Sequence, residues 1–151
     1  RDLAAVLEQK PHNGFPVVEP GTGRLLGMAP RGLLQLLLRS GGACGAFREP
    51  GAAGGEPGRV PCRPAGGWPG LDEALQALAP GDMRLELDLA PYVDAGAPAV
   101  QEGASLRRAY GLFRGLGLRH LPVVRRDGRV LGVLTRKDLL LAPPTASTGS
   151  A

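Results

Sequence analysis

The chain repeats itself. Phe15-Pro16-Val17-Val18 aligns with Leu121-Pro122-Val123-Val124 at an offset of 106 residues, and upstream the same offset pairs Leu3 with Ala109, Val6 with Leu112 and Leu7 with Phe113. Each Pro-Val-Val is followed by a turn and then by Gly-Arg-X-Leu-Gly, at Gly23–Gly27 and Gly128–Gly132, where the offset falls to 105 and Arg31 meets Arg136. An internal duplication of this length forces any fold to accommodate the same supersecondary unit twice.

The unit can be read from its periodicity. Leu3, Val6 and Leu7 recur at helical spacing, so Arg1 to Gln9 is expected to be an amphipathic helix closed by Pro11. Phe15 to Val18 reads as a buried strand, Gly21 and Gly23 as a hairpin turn, Leu25 to Met28 as a second strand and Arg31 to Arg39 as a helix. The second copy follows suit. Ser105 is placed to cap a helix with Leu106, Ala109, Leu112, Phe113 and Leu116 on one stripe, ended by Gly117. Asp127-Gly128 then marks a two-residue hairpin between Leu121–Val124 and Val130–Leu134, and Thr135 stands at the N-cap of a helix from Arg136 to Leu141, before Pro143-Pro144. Ala97 to Val100 can form a leading strand before the second copy. The first copy has no counterpart, so the chain is expected to be the tail end of a longer protein.

Between the copies the composition changes. Gly41 to Gly70 holds ten Gly and five Pro in thirty positions, which leaves no apolar period to bury. The expected organisation is a first unit over 1–40, a largely disordered linker over 41–83, a second unit over 84–141 and a disordered tail over 142–151.

Several function classes are disfavoured. The formal charge of +4 and pI near 9.7 invite a nucleic-acid reading, but only six aromatic residues are present and the basic residues form no stripe interleaved with them. No apolar run approaches the ~20 residues of a bilayer span, since Gln35 and Arg39 interrupt the leucines of 33–38. Cys44 and Cys62 are too few for a disulfide framework, and with His12 and His120 they give no zinc-ligand spacing. No serine sits on a nucleophile elbow and no histidine is paired with a nucleophile, so an enzyme is not expected.

Helix, apolar-Pro-Val-Val hairpin, then Thr-X-X-Asp opening a closing helix resembles the CBS domain, which occurs in tandem pairs. "HNGFPVVE", "LFRGLGLRHLPVV", "GVLTRKDLL" and "LDLAPYV…VQEGASL" are, further, similar to the cytoplasmic tail of CLC-type chloride channels and chloride/proton antiporters, especially the lysosomal and organellar branch. The likeness covers 1–40 and about 84–141. It implies an α/β (α+β) fold: a tandem CBS pair related by a pseudo-two-fold, each unit a small sheet with flanking helices. It also implies a cytosolic regulatory module, on an endosomal, lysosomal or vacuolar membrane, that binds ATP or another adenine nucleotide between the units and modulates chloride transport. Its partners would be the membrane transport domain of the same polypeptide and a second copy in a homodimer, with the apolar faces of 33–38 and 139–141 as contact surfaces.

The candidate nucleotide residues follow from that resemblance. Asp138 would accept from the ribose hydroxyls, Thr135 would add a hydroxyl, and Arg136 and Lys137 would lie near the phosphates. His12 would stack on the adenine and Asn13 would read its edge. A structural reading stands beside each role. Thr135 and Asp138 also make a helix-capping arrangement, His12 is a natural turn residue, Arg136 and Lys137 a solvated face, and the lone Trp68 a cover for an apolar patch. Two other functions remain open, a structural or dimerisation module without ligand, and the regulatory part of a metabolic enzyme or kinase complex. In the first copy Pro30, Gly32 and Leu33 stand opposite Thr135, Lys137 and Asp138, so one nucleotide per chain is expected.

Overall fold

The computed structural model describes residues 3–52 and 64–141. Its contacts divide the chain into two compact units, one of residues 1–19 and 26–97, the other of residues 20–25 and 98–151.

The first unit opens with α1 (Leu3–Gln9), then β1 (Gly14–Val18) and β2 (Leu25–Pro30) as a two-stranded sheet, then α2 (Arg31–Ser40). These elements fall where the periodicity places them. The arrangement of α2 does not. "RGLLQLLLRS" is buried at Gly32, Leu33, Leu34, Leu36, Leu37 and Leu38, so its leucines are consumed on more than one side by the unit's own core. Leu34 and Leu38 join Leu7, Ala29 and Ala74 in one cluster, while Leu33 and Leu37 join Ala46 and Tyr92 in another. The expectation that this face stays open for a partner is therefore corrected for residues 33–38.

What covers those leucines is the stretch expected to be a largely disordered linker. Within 41–83, Phe47 and Arg48 form β3, paired antiparallel with β4 (Glu86–Leu87), and Leu71–Gln76 forms α3. Ala46 and Ala74 are fully buried. The physical reason is supply and demand of apolar surface. A five-leucine helix presents more than one small hairpin can cover, and Leu71, Ala74, Leu75 and Leu78 recur at the helical spacing that meets it. Residues 53–63, with Cys62, and the expected tail with Pro143-Pro144 lie outside the described residues. Met28 pairs with Asp94 by two backbone hydrogen bonds of 3.1 and 3.3 Å, extending β2 at its far edge.

The second unit is a three-stranded sheet, β5 (Val100–Gln101), β6 (His120–Val124) and β7 (Val130–Thr135), with α4 (Leu106–Gly115) and α5 (Arg136–Leu141). β5 runs parallel to β6, with Val100 opposite Val123, and β6 runs antiparallel to β7. The leading strand starts later than the sequence suggests, because Pro98 has no N–H to give a ladder. Ser105 Oγ accepts from the Arg108 N–H at 3.2 Å, as a cap should. Val100, Ala109, Phe113 and Leu121 form the core. The Asp127-Gly128 turn is a three-residue loop rather than a two-residue one. Arg125 N–H donates to the Arg129 carbonyl at 2.8 Å and Gly128, at φ 87°, takes the left-handed position that closes such loops. Residues 20–25 join this unit: Arg24 pairs with Arg129, and the Leu25 and Val130 N–H groups donate to the Gly128 and Gly23 carbonyls.

Candidate functional site

The β7–α5 junction is built around one carboxylate. Asp138 Oδ2 accepts from both the Thr135 N–H and the Thr135 hydroxyl, each at 2.7 Å. This is the acid's half of a helix capping box, with the Thr135 hydroxyl turned to donate to the carboxylate, and it orients the acid on the first turn of α5. The capping reading is thus present in the structure. Lys137 is exposed beside it.

Arg136 behaves differently from its neighbours. Its Nε donates to the Leu118 carbonyl at 2.9 Å and its Nη2 to the Gly117 carbonyl at 3.3 Å, so the guanidinium is turned back onto the α4–β6 loop. It is a pin between backbone segments. The duplication sets Arg136 opposite Arg31, an equivalence of position that does not by itself reveal the role.

In the first unit Arg31 makes the same contact more extensively. Nε donates to the His12 carbonyl at 2.8 Å, Nη1 to the Leu7 carbonyl at 2.9 Å and Nη2 to the Lys10 carbonyl, and the Arg31 N–H donates to the Asn13 carbonyl at 2.9 Å. Its guanidinium lies 5.4 Å from the centre of the Phe15 ring, within cation–π range. At the offset of 106, Leu118 is the counterpart of His12, so both arginines grip the equivalent carbonyl. His12 and Asn13 are exposed at their side chains while their backbone carbonyls are held.

The β2–α2 junction lacks the rest of the arrangement. Pro30 offers no side-chain cap, and Leu33 is buried at 8% exposure. Trp68 lies against Gly32 so closely that a Cβ there would overlap the indole. The indole thus fills the place from which Lys137 extends in the other copy. Trp68 is the cover that sequence reasoning allowed, and its partner is now identified.

An open apolar groove of about 430 Å³ runs between α4 and α5, lined by Tyr110, Phe113, Arg114, Leu139 and Leu140, the last 84% exposed. Arg136 and Gly117 also line it, so the groove adjoins the start of α5. Among the described residues no group of three or more His, Cys, Asp or Glu side chains is placed to hold a metal ion, and no helix is long and apolar enough to cross a membrane.

Comparison with known proteins agrees with this architecture. The CBS domain profile matches residues 92–144. Chloride channel protein CLC-d of Arabidopsis thaliana is 34% identical over 157 residues, covering 93% of this chain and 18% of the relative. H(+)/Cl(-) exchange transporter 7 of Bos taurus is 36% identical over 134 residues, covering 85% of this chain and 16% of the relative. The chain therefore spans less than a fifth of the length of these two relatives. Among solved structures, Staphylococcus aureus OpuCA superposes with a TM-score of 0.52 at 15% identity, covering 90% of this chain and 77% of that one. Protein MJ1225 of Methanocaldococcus jannaschii superposes with a TM-score of 0.54 at 11% identity, covering 91% of this chain and 40% of that one. At such identities the structural likeness speaks for the fold alone. Residues 92–144 are a CBS domain, in a chain related along most of its length to a part of the CLC chloride channels and H(+)/Cl(-) exchange transporters.

Proposed function

We propose that this chain is the regulatory CBS pair of a CLC-type chloride channel or chloride/proton antiporter, lying on the cytosolic face of an endosomal, lysosomal or vacuolar membrane. In this reading it binds one adenine nucleotide per chain, ATP or a congener, and occupancy modulates chloride transport by the membrane domain of the same polypeptide. The observation that carries the proposal is the difference between the two duplicated junctions. Acid, hydroxyl and exposed ammonium are kept together at Thr135, Lys137 and Asp138, while the other copy has Pro30, Gly32 and Leu33. A capping arrangement alone needs neither the lysine nor its exposure.

The roles divide by chemistry. Asp138 accepts from the ribose hydroxyls, and Lys137 reaches the phosphates as a mobile point charge. His12 stacks on the base and Asn13 supplies a donor and an acceptor to its edge. Arg136 is assigned the backbone-holding role in place of a phosphate contact. Titration calorimetry of the full-length protein in detergent with ATP tests the proposal. One site per chain is expected, with Asp138→Ala weakening binding roughly tenfold to a hundredfold, since each ~1.4 kcal/mol is a factor of ten. Two equivalent sites, or unchanged affinity in Asp138→Ala, would overturn the site assignment.

A second reading, a ligand-free contact module, is favoured by one observation, the α4–α5 groove with Leu140 almost fully exposed. It predicts that sedimentation of the full-length protein finds a dimer that Leu140→Asp weakens, with no heat of ATP binding.

A further inference from the structure

The strongest unexplained polar cluster in the first unit is the one around Arg31. Three side-chain nitrogens and the main-chain N–H of this one residue are committed to the carbonyls of Leu7, Lys10, His12 and Asn13. Helix capping accounts for part of this. Leu7 lies in the last turn of α1 and Lys10 just beyond its end at Gln9, where carbonyls lack intrahelical partners. It does not account for His12, which lies past the helix in the loop leading to β1; the Asn13 carbonyl, immediately before β1, is held by the Arg31 main-chain N–H as a continuation of the β1–β2 pairing, and both side chains are exposed. Holding two consecutive carbonyls of a loop fixes the direction in which both side chains leave the backbone. Arg136 provides an internal control. It holds the equivalents of Pro11 and His12, namely Gly117 and Leu118, where the side chains that follow are Leu118 and Arg119 and no base-reading pair exists.

We infer that the Arg31 side chain is the positioning group for base selectivity: by locking the His12 carbonyl beside the strand-held Asn13 it presets the imidazole and the amide to accept adenine over guanine. The inference rests on the proposed nucleotide function and adds what discriminates between bases. The physical argument is preorganisation. A site that reads a base edge through one amide loses discrimination when that amide is free to turn, because the wrong base is then no longer left with unpaired groups. The fork of an arginine can hold three carbonyls together, and a lysine ammonium on a flexible stem cannot reproduce that planar geometry. The Phe15 ring under the guanidinium completes the clamp.

The test is a comparison of nucleotides and of variants in the full-length protein, read by calorimetric titration. Wild type is expected to prefer ATP over GTP. Arg31→Lys is expected to lower ATP affinity by about tenfold and GTP affinity little, collapsing the ATP/GTP ratio while leaving the ATP/AMP ratio unchanged, as for loss of one well-oriented hydrogen bond. Arg136→Lys, which loosens the other pin, is expected to lower ATP and GTP affinity alike and to keep their ratio. Phe15→Leu, which leaves every hydrogen-bonding group in place, is expected to move the ATP/GTP ratio in the same direction by about threefold, and it serves should Arg31→Lys fail to fold. An unchanged ATP/GTP ratio in Arg31→Lys, or in Phe15→Leu where Arg31→Lys does not fold, would overturn the inference while leaving the nucleotide site standing. So would an equal collapse in Arg136→Lys. Absence of any nucleotide binding by wild type would overturn the proposed function itself, and the inference with it.

Discussion

The β2–α2 and β7–α5 junctions descend from one sequence and now do different things. Both keep an arginine at the first helical position, and in both it grips the carbonyl of the preceding loop. Around that shared pin the three other positions have diverged completely: Pro30 is exposed but offers no polar side chain, Gly32 lies under Trp68 and Leu33 is buried, whereas Thr135, Lys137 and Asp138 are partly or fully exposed and polar. The comparison separates what the fold requires from what a ligand would require. Backbone carbonyls at a helix end need a donor in either copy; a carboxylate is needed in only one.

Exchanging residues between the junctions tests this directly. The largest effect is expected for Leu33→Asp, which writes the second copy's acid into the first. Leu33 is buried beside Leu37, Ala46 and Tyr92, and an unpaired carboxylate there costs at least about 3 kcal/mol, enough to unfold the unit in urea titrations at neutral pH. The reverse change, Asp138→Leu, removes a capping acid at an exposed site and is expected to cost about 1 kcal/mol. Similar costs in both directions would show that the two junctions had not diverged in burial.

A smaller effect is expected from exchanging the next pair. Gly32→Lys drives a side chain into the Trp68 indole and is expected to destabilise by about 1 to 3 kcal/mol, as overpacking does. Lys137→Gly is expected to cost no more than about 1 kcal/mol of helix propensity. Thermal melts of the two variants side by side decide whether the indole is held against α2 or merely rests on it.

The smallest expected effect is alkaline. Burial, and after it the neighbouring Cys44, pushes the Tyr92 phenol above its ordinary value of 10.0. The hydroxyl donates to the Cys44 carbonyl at 3.1 Å, a bond only the neutral phenol can make. Because the folded value is the higher one, this contribution is complete below pH 10 and is lost as pH rises through the folded value. Stability measured in denaturant across that range should fall more steeply in wild type than in Tyr92→Phe, and parallel curves would remove Tyr92 from the account.

Much of this was legible in the sequence, and the failures have physical causes. Repetition and apolar period located α1, α2, α4 and both hairpins, because these are local properties of the chain. They could not locate α3, whose six residues lie beside glycine- and proline-rich sequence and whose spacing gains meaning only when α2 needs a cover. The Thr135–Asp138 contact was legible as a motif. The role of Arg136 was not, since adjacency to Lys137 suggests shared chemistry, while the direction of a long side chain is decided by which carbonyls lie within reach. The surplus of apolar surface was assigned to two helices. α2 consumes its own, and the α4–α5 groove keeps some exposed.

Trp68 also has an optical consequence. It is the only tryptophan in the chain, and it lies on the glycine of α2 with 40% of its surface exposed. Excited at the red edge, where tyrosine does not absorb, the protein emits from the first unit alone. A shift of that emission to longer wavelength in denaturant records release of the indole from α2, while circular dichroism follows both units together. Divergence of the two signals would time the opening of one duplicated half against the other without any label.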